Sequence, residues 1–255
     1  MNKIYRIIWN KNKSCWQAVS ELAKNAAGAS CATVKKNKAS SKIYSNYLSL
    51  LVLPALSLLS FSVSAAISDI ALPTGQQVIA GSAEFKQSGN TLNVLQQSQN
   101  LSASWNTFNI GSQAEVNFVQ PNNSSIAVNR VLDSNGSQIM GRLNANGQVF
   151  LINPNGVLFS KTAQVNAGGI VASTLDLQDQ DLFQGKFSFS GNGKAASVEN
   201  HGKITAAHGG TVALIASAVK NTGEITAPNG RVELTAAEKV RITLQNGKLA
   251  SYDID

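Results

Sequence analysis

Beyond residue 67 the chain alternates short apolar runs with polar turns. The runs at 116–119, 149–152, 157–159, 212–215 and 240–244 are rich in Val, Ile, Leu and Phe. Two further segments, 77–80 and 91–95, alternate apolar and polar residues. Asn-Gly or Gly-Gly pairs separate them at 135–136, 146–147, 155–156, 168–169, 209–210, 229–230 and 246–247. Short β-branched runs punctuated in this way predict strands, and the absence of long helical periodicity predicts an all-β body.

A repeat narrows the architecture. NHGKITA at 200–206 returns as NTGEITA at 221–227, and TVALIA at 211–216 returns as RVELTA at 231–236. A period of about 20 residues predicts a parallel β-helix, a solenoid whose coils pair with the coils above and below about 4.8 Å away. Inward Ile, Val and Leu would stack into a column, with Gly and Asn at the corners. A hairpin sandwich is the competing arrangement, but it does not require a fixed echo. Residues 67–110 do not follow the repeat; they predict an N-terminal strand cap, with Trp105 and Phe108 plugging the first coil. Coil-like sequence continues through 241–244 with no capping element behind it, so the body is expected to be open at its C-terminal end, as in a truncated copy of a longer chain.

Charge and hydropathy set the first 66 residues apart. They hold nine Lys or Arg against one acid, Glu21, whereas 67–255 holds twelve bases against thirteen acids. The net charge of +7 therefore belongs to the leader, and the nearly neutral body lacks the electrostatic footing of a nucleic-acid binder. A basic, aromatic extension over 1–42, with a helix expected at 16–24, precedes an apolar core at 48–59. Pro54 interrupts that core, and small residues follow, which suits signal-peptidase cleavage after Ala65 or Ala66 better than an uncleaved anchor over 48–66. Cys15 and Cys31 both lie in the leader, so the body relies on ladders and packing rather than disulfides.

Chemistry-bearing clusters are sparse. Asp176, Asp179 and Asp181 fall in one expected loop, where a solvated turn is the simplest reading. His201 and His208 have no Cys nearby and no metal-ligand spacing, and His208 takes the repeat position of Asn229. No enzyme, metal site or cofactor is expected. The conspicuous motif is Asn153-Pro154-Asn155-Gly156, between two strand-like runs. Pro154 fixes φ and Gly156 permits a positive φ, so a tight corner alone justifies both. The Asn153 and Asn155 amides remain as candidates for recognition. Arg130 is a long cation in a charge-poor body, with Asp133 as its expected partner.

The leader stretches MNKIYR (1–6) and AVSELA (18–23) resemble the extended signal peptide region of autotransporters and two-partner-secretion exoproteins. The body carries SWNTFNIG (104–111), VNFVQPNNSSIAVNRV (116–131), SQIMGRLNANGQVFLINPNGVLF (137–159) and GGIVASTLDL (168–177). These blocks resemble the secretion domain of filamentous haemagglutinin-type exoproteins, the high-molecular-weight adhesins above all. The resemblance implies a right-handed β-helix exported through Sec in a Gram-negative bacterium. A dedicated outer-membrane transporter, a barrel with periplasmic POTRA domains, would then recognise it. It implies a product that crosses the periplasm unfolded and ends secreted or on the outer cell surface, with a role in adhesion and virulence. Asn153, Pro154, Asn155, Gly156, Asn129 and Arg130 become secretion-signal candidates. A host-cell glycan or receptor would be met by sequence beyond residue 255. A complete small glycan-binding adhesin, and more remotely a β-helix polysaccharide-active enzyme, are the alternatives.

Overall fold

The computed structural model describes residues 5–10, 15–20, 67–177, 181–182 and 185–254. The chain forms two units, Met1–Ser60 and Phe61–Asp255. In the first, β1 (Tyr5–Asn10) and β2 (Cys15–Ser20) make an antiparallel hairpin with Tyr5 opposite Ser20. The helix expected from residue 16 is therefore a strand as far as Ser20. Ile7, Ile8 and Trp9 in one segment and Trp16 and Val19 in the other favour pairing over an isolated helix. Residues 21–24, the apolar core at 48–59, Ala65 and Ala66 lie outside the described residues.

The second unit is a β-solenoid of about six turns with roughly 22 residues per turn. Its first face stacks β5 (Thr91–Gln96), β7 (Glu115–Val119), β10 (Arg142–Ala145), β13 (Gln164–Ala167), β18 (Lys203–Ala206) and β21 (Glu224–Thr226). The second face stacks β6 (Asn100–Trp105), β8 (Ile126–Val131), β11 (Gln148–Ile152), β14 (Gly169–Ser173), β19 (Thr211–Ala216) and β22 (Arg231–Ala236). The third face holds β9 (Ser137–Ile139), β12 (Val157–Phe159), β17 (Ser197–Asn200) and β20 (Ala218–Asn221), with Ile110 bridged to Ile139. All these pairings are parallel. The cap pairs antiparallel: β3 (Gln77–Ala80) lies on β6 and β4 (Ala83–Ser88) on β5.

The period of about 20 holds in the middle turns, where Ser137 pairs with Val157 and Gln148 with Gly169, and again in the last ones, but not in the first turns or across the excursion between those stretches. Glu115, Arg142 and Gln164 occupy one position on successive turns, and Lys203 follows only after an excursion. Strand length is set by the pleat, whereas corner loops absorb extra residues at small entropic cost, so the offset drifts while the register holds.

Inside the solenoid, Leu92, Val116, Leu143, Val165 and Ile204 stack in register behind the first face and are buried. The central strands of the second face, β11, β14 and β19, are buried on both sides, which explains why VFLI and TVALI are continuous apolar runs rather than alternating ones. Outside that face lies a second core of Val128, Phe150, Ile152, Phe187, Phe189 and Ile242. Its outer layer is a four-stranded antiparallel sheet: β15 (Asp176–Leu177), β16 (Lys186–Ser190), β23 (Lys239–Gln245) and β24 (Lys248–Ile254). The segment 241–244, expected as coil, therefore belongs to this sheet. Lys239, Val240, Arg241 and Ile242 alternate exposed and buried, so the strand has one apolar side, whereas a coil strand on the second face needs two. On β22, Val232 and Leu234 are 43% and 46% exposed, while their register partners Val212 and Leu214 are fully buried.

Candidate functional site

The corner at 153–156 joins the second face to the third. The Gly156 amide donates to the Asn153 carbonyl at 3.0 Å, closing a four-residue turn with Pro154 in its second position. Gly156 has φ of 114°, and Asn155 is absent from the positive-φ positions, so the turn is of type I with the special backbone displaced onto the glycine. Both asparagines spend their amides inside the protein. Asn153 is fully buried; its Oδ1 accepts from the Asn155 amide at 2.9 Å, and its Nδ2 donates to the Asn135 carbonyl and Ser137 Oγ, each at 3.0 Å. Asn155 donates to the Asp133 carbonyl at 2.6 Å and accepts from Lys194 Nζ at 3.1 Å. Asn135, Ser137 and Asp133 belong to the preceding turn, so the motif staples two corners together.

Asn129 faces inward from β8, in register with Ala103 below and Leu151 above. It is fully buried and accepts from the Trp105 indole N–H at 3.0 Å, while its own amide donates to the carbonyls of Ala127 and Phe150. Trp105 and Phe108 are buried in the first turn with rings perpendicular at 5.3 Å, and Phe85 from the cap meets the same indole edge-on at 5.5 Å.

Arg130 faces outward from the same strand, toward the covering sheet. Its partners are Asp176 Oδ1 at 3.2 Å, Ser102 Oγ at 3.0 Å and the Leu177 carbonyl. The expected partner, Asp133, is instead turned into its own exposed corner, where Oδ1 accepts from the Asn135 backbone and side chain. Asp176 is largely exposed on β15 and also pairs with Arg130, Asp181 accepts from the Ser188 amide at 3.0 Å, and Asp179 lies outside the described residues.

The histidines are corner residues. His208 Nε2 lies 2.7 Å from Asn229 Nδ2 on the next turn, and His201 contacts Thr222 and Glu199. Burial opposes ionisation of Glu199, yet the His201 and Ser197 hydrogen bonds and the Lys220 charge outweigh it and hold the carboxyl below its ordinary range. Among the described residues no group of three or more His, Cys, Asp or Glu gathers as a metal site.

The sequence did not reveal two amide ladders. On the first face Asn93, Asn117, Asn144 and Asn166 pass side-chain hydrogen bonds from turn to turn at 2.9–3.3 Å. At the corner between the first two faces, Gln120 donates to Gln96 Oε1 at 3.1 Å. The signal was present as one amide per turn at a fixed register, masked by unequal corner lengths.

The chain matches the family model of the TPS secretion domain over residues 67–252. Residues 1–49 match that of the extended signal peptide of the type V secretion system. The crystal structure of the HMW1 secretion domain from Haemophilus influenzae shares the fold with a TM-score of 0.67 and 36% identity, over 72% of this chain and 50% of that one. A heme/hemopexin-binding protein of Haemophilus influenzae is 41% identical over 122 residues, 48% of this chain and 13% of that protein. A second protein of that name and species is 38% identical over 117 residues. The chain spans only 13% of the length of these curated relatives.

Proposed function

The chain belongs to the TPS secretion domain family, and from that premise we propose that a POTRA-containing outer-membrane transporter recognises it and releases it to the cell surface or medium. It is the secretion domain of a two-partner exoprotein, preceded by an extended signal peptide, and the family is not an enzyme family. Residues 1–66 direct Sec export and signal peptidase cuts near Ala65 or Ala66, leaving 67–255 to enter the periplasm. Adhesion by the whole exoprotein rests on the likeness to longer relatives. No catalytic activity is assigned to the body.

The observation that carries the reading at residue level is the burial of Asn153. A side chain with no exposed surface and every hydrogen-bonding group committed offers nothing to a partner in the folded state. Recognition through Asn153 therefore precedes folding: the transporter meets Asn153 and Asn155 on an extended chain, and closure of the corner outside the membrane removes Asn153 from reach. Folding then disfavours return, since the released solenoid no longer displays Asn153.

The test is export of the 255-residue chain from a Gram-negative host with and without a cognate transporter. Appearance in the medium only with the transporter supports the reading. Retention in the periplasm despite the transporter sinks it.

A further inference from the structure

The third face carries a groove of about 730 Å³ beside the 153–156 corner, a volume in the range of small-ligand sites. Its floor is a ladder of outward side chains in register, Gln138 on β9, Leu158 on β12 and Glu199 on β17. One wall is Asn155 at the corner; the other is Lys161 with His201.

We propose that this groove binds an acidic oligosaccharide lying along the solenoid axis. Sugars are held by planar hydrogen-bonding groups around an apolar patch that meets their C–H face. Leu158 supplies such a patch between the Gln138 amide and the Glu199 carboxylate. The rungs that carry these three side chains lie about 4.8 Å apart, close to the length of one sugar ring. Among the described residues the Gln138 side-chain amide has no protein partner, so its donors and acceptor are open to a ligand.

Charge selects the class of sugar. Glu199 is already compensated: it accepts from Ser197 and His201 and lies 3.6 Å from Lys220. Lys161 forms no ion pair among the described residues and stands at the groove's edge, where it meets a carboxylate or sulfate on the ligand. A strand-like peptide fits less well, because β12 is hydrogen-bonded on both sides, to β9 and β17, and offers no free backbone edge to an added strand.

The experiment titrates the folded full-length chain with a hyaluronan tetrasaccharide, the neutral cellotetraose and inorganic sulfate. Saturable one-to-one binding of hyaluronan is expected, weakened about tenfold by Lys161→Ala and by Gln138→Ala and unchanged by Lys86→Ala in the distant cap. Both groove positions are surface side chains, and unchanged melting of the variants establishes that the fold is intact. Equal binding of cellotetraose, equal loss in Lys86→Ala, or full competition by sulfate alone overturns the proposal. Displacement of the sugar by an unrelated extended peptide overturns it as well. The assay needs no transporter, so its failure and a failure of the export reading are separate results.

Discussion

The indole N–H of Trp105 donates to the side-chain carbonyl of Asn129 at 3.0 Å, inside a column whose other members are Ala103, Leu151, Ala172, Leu214 and Leu234. Asn129 is the single polar member of that column, and it also ties two backbone carbonyls. The pair joins the aromatic plug of the first turn to the second. Asn129→Leu keeps the volume but strands the indole N–H, and a buried unsatisfied donor costs about 1–3 kcal/mol. Denaturant unfolding should show that loss, and Trp105→Phe in the Asn129→Leu background should cost less than Trp105→Phe alone. Additive losses would mean that the two side chains do not act together.

Close coil stacking predicts which glycines are intolerant. A methyl group on Gly210 would overlap the carbonyl oxygen of Gly168 one turn below, although Gly210 does not need a positive φ. The backbone there cannot yield without breaking the ladder on both sides, so Gly210→Ala is expected to cost more than 2 kcal/mol, at the upper end of ordinary substitutions. Gly89, at φ of 56° with nothing within 4 Å, pays only for its conformation, and Gly89→Ala should cost about 1 kcal/mol. Paired melting curves check the ranking.

Arg130 pins the covering sheet to the solenoid. Its guanidinium joins Ser102 on β6 to Asp176 and the Leu177 carbonyl on β15. Asp176 is largely exposed, so the charge pair itself contributes little, and Asp176→Asn should cost under about 1 kcal/mol. Arg130→Met removes the bonds to Ser102 and Leu177 as well. Hydrogen exchange should then accelerate in 176–177 and 186–190, while 203–206 on the opposite face keeps its protection.

Different parts of this fold were legible to different degrees for physical reasons. The echo between 200–206 and 221–227 was visible because those two turns have equal corners. The first turns kept the same register with longer loops, and the excursion after β14 cut the echo off from the middle turns. The second-face strands announced that they were buried on both sides, but nothing in VFLI or TVALIA names the layer that covers them. Sequence proximity suggested Asp133 for Arg130, yet the partner lies 46 residues away, on a strand that reaches it only when the excursion folds back. The 153–156 turn was plain from Pro and Gly. Its partners were not, since Asn135 and Ser137 come within reach only through stacking of one corner on another, 18 and 16 residues apart.

Acid should loosen the third face through Glu199. Its carboxyl titrates below the ordinary range in the folded state, chiefly because the His201 and Ser197 hydrogen bonds overcome burial. A depressed folded value means that the contribution is present above the unfolded value and is lost as pH falls through the folded one. Stability measured from pH 6 downward should therefore decline faster in the wild type than in Glu199→Gln, with the two curves converging once the carboxyl is protonated. Parallel curves across that window would remove Glu199 from the acid response.

The 153–156 corner allows architecture and recognition to be separated within one motif, because its residues differ in what they do for the folded state. Asn153→Ala removes two donated bonds and one accepted bond from a fully buried site, with an expected loss of about 2–4 kcal/mol. Gly156→Ala forces an L residue to φ of 114°, which costs about 1–3 kcal/mol. Asn155→Ala gives up a half-exposed pair of contacts and should cost about 1 kcal/mol. Pro154→Ala acts mainly through the unfolded chain, at roughly 0.4–1 kcal/mol. If the motif is only a corner, transporter-dependent secretion follows that order, and Asn155→Ala is exported nearly as well as Pro154→Ala. If the transporter reads the extended motif, Asn155→Ala loses export out of proportion to its small effect on melting, and Gly156→Ala retains export despite its larger one. Secretion titres plotted against melting temperature for the four variants distinguish the two: a single monotonic line leaves the corner as architecture, and Asn155 falling far below that line assigns it to recognition.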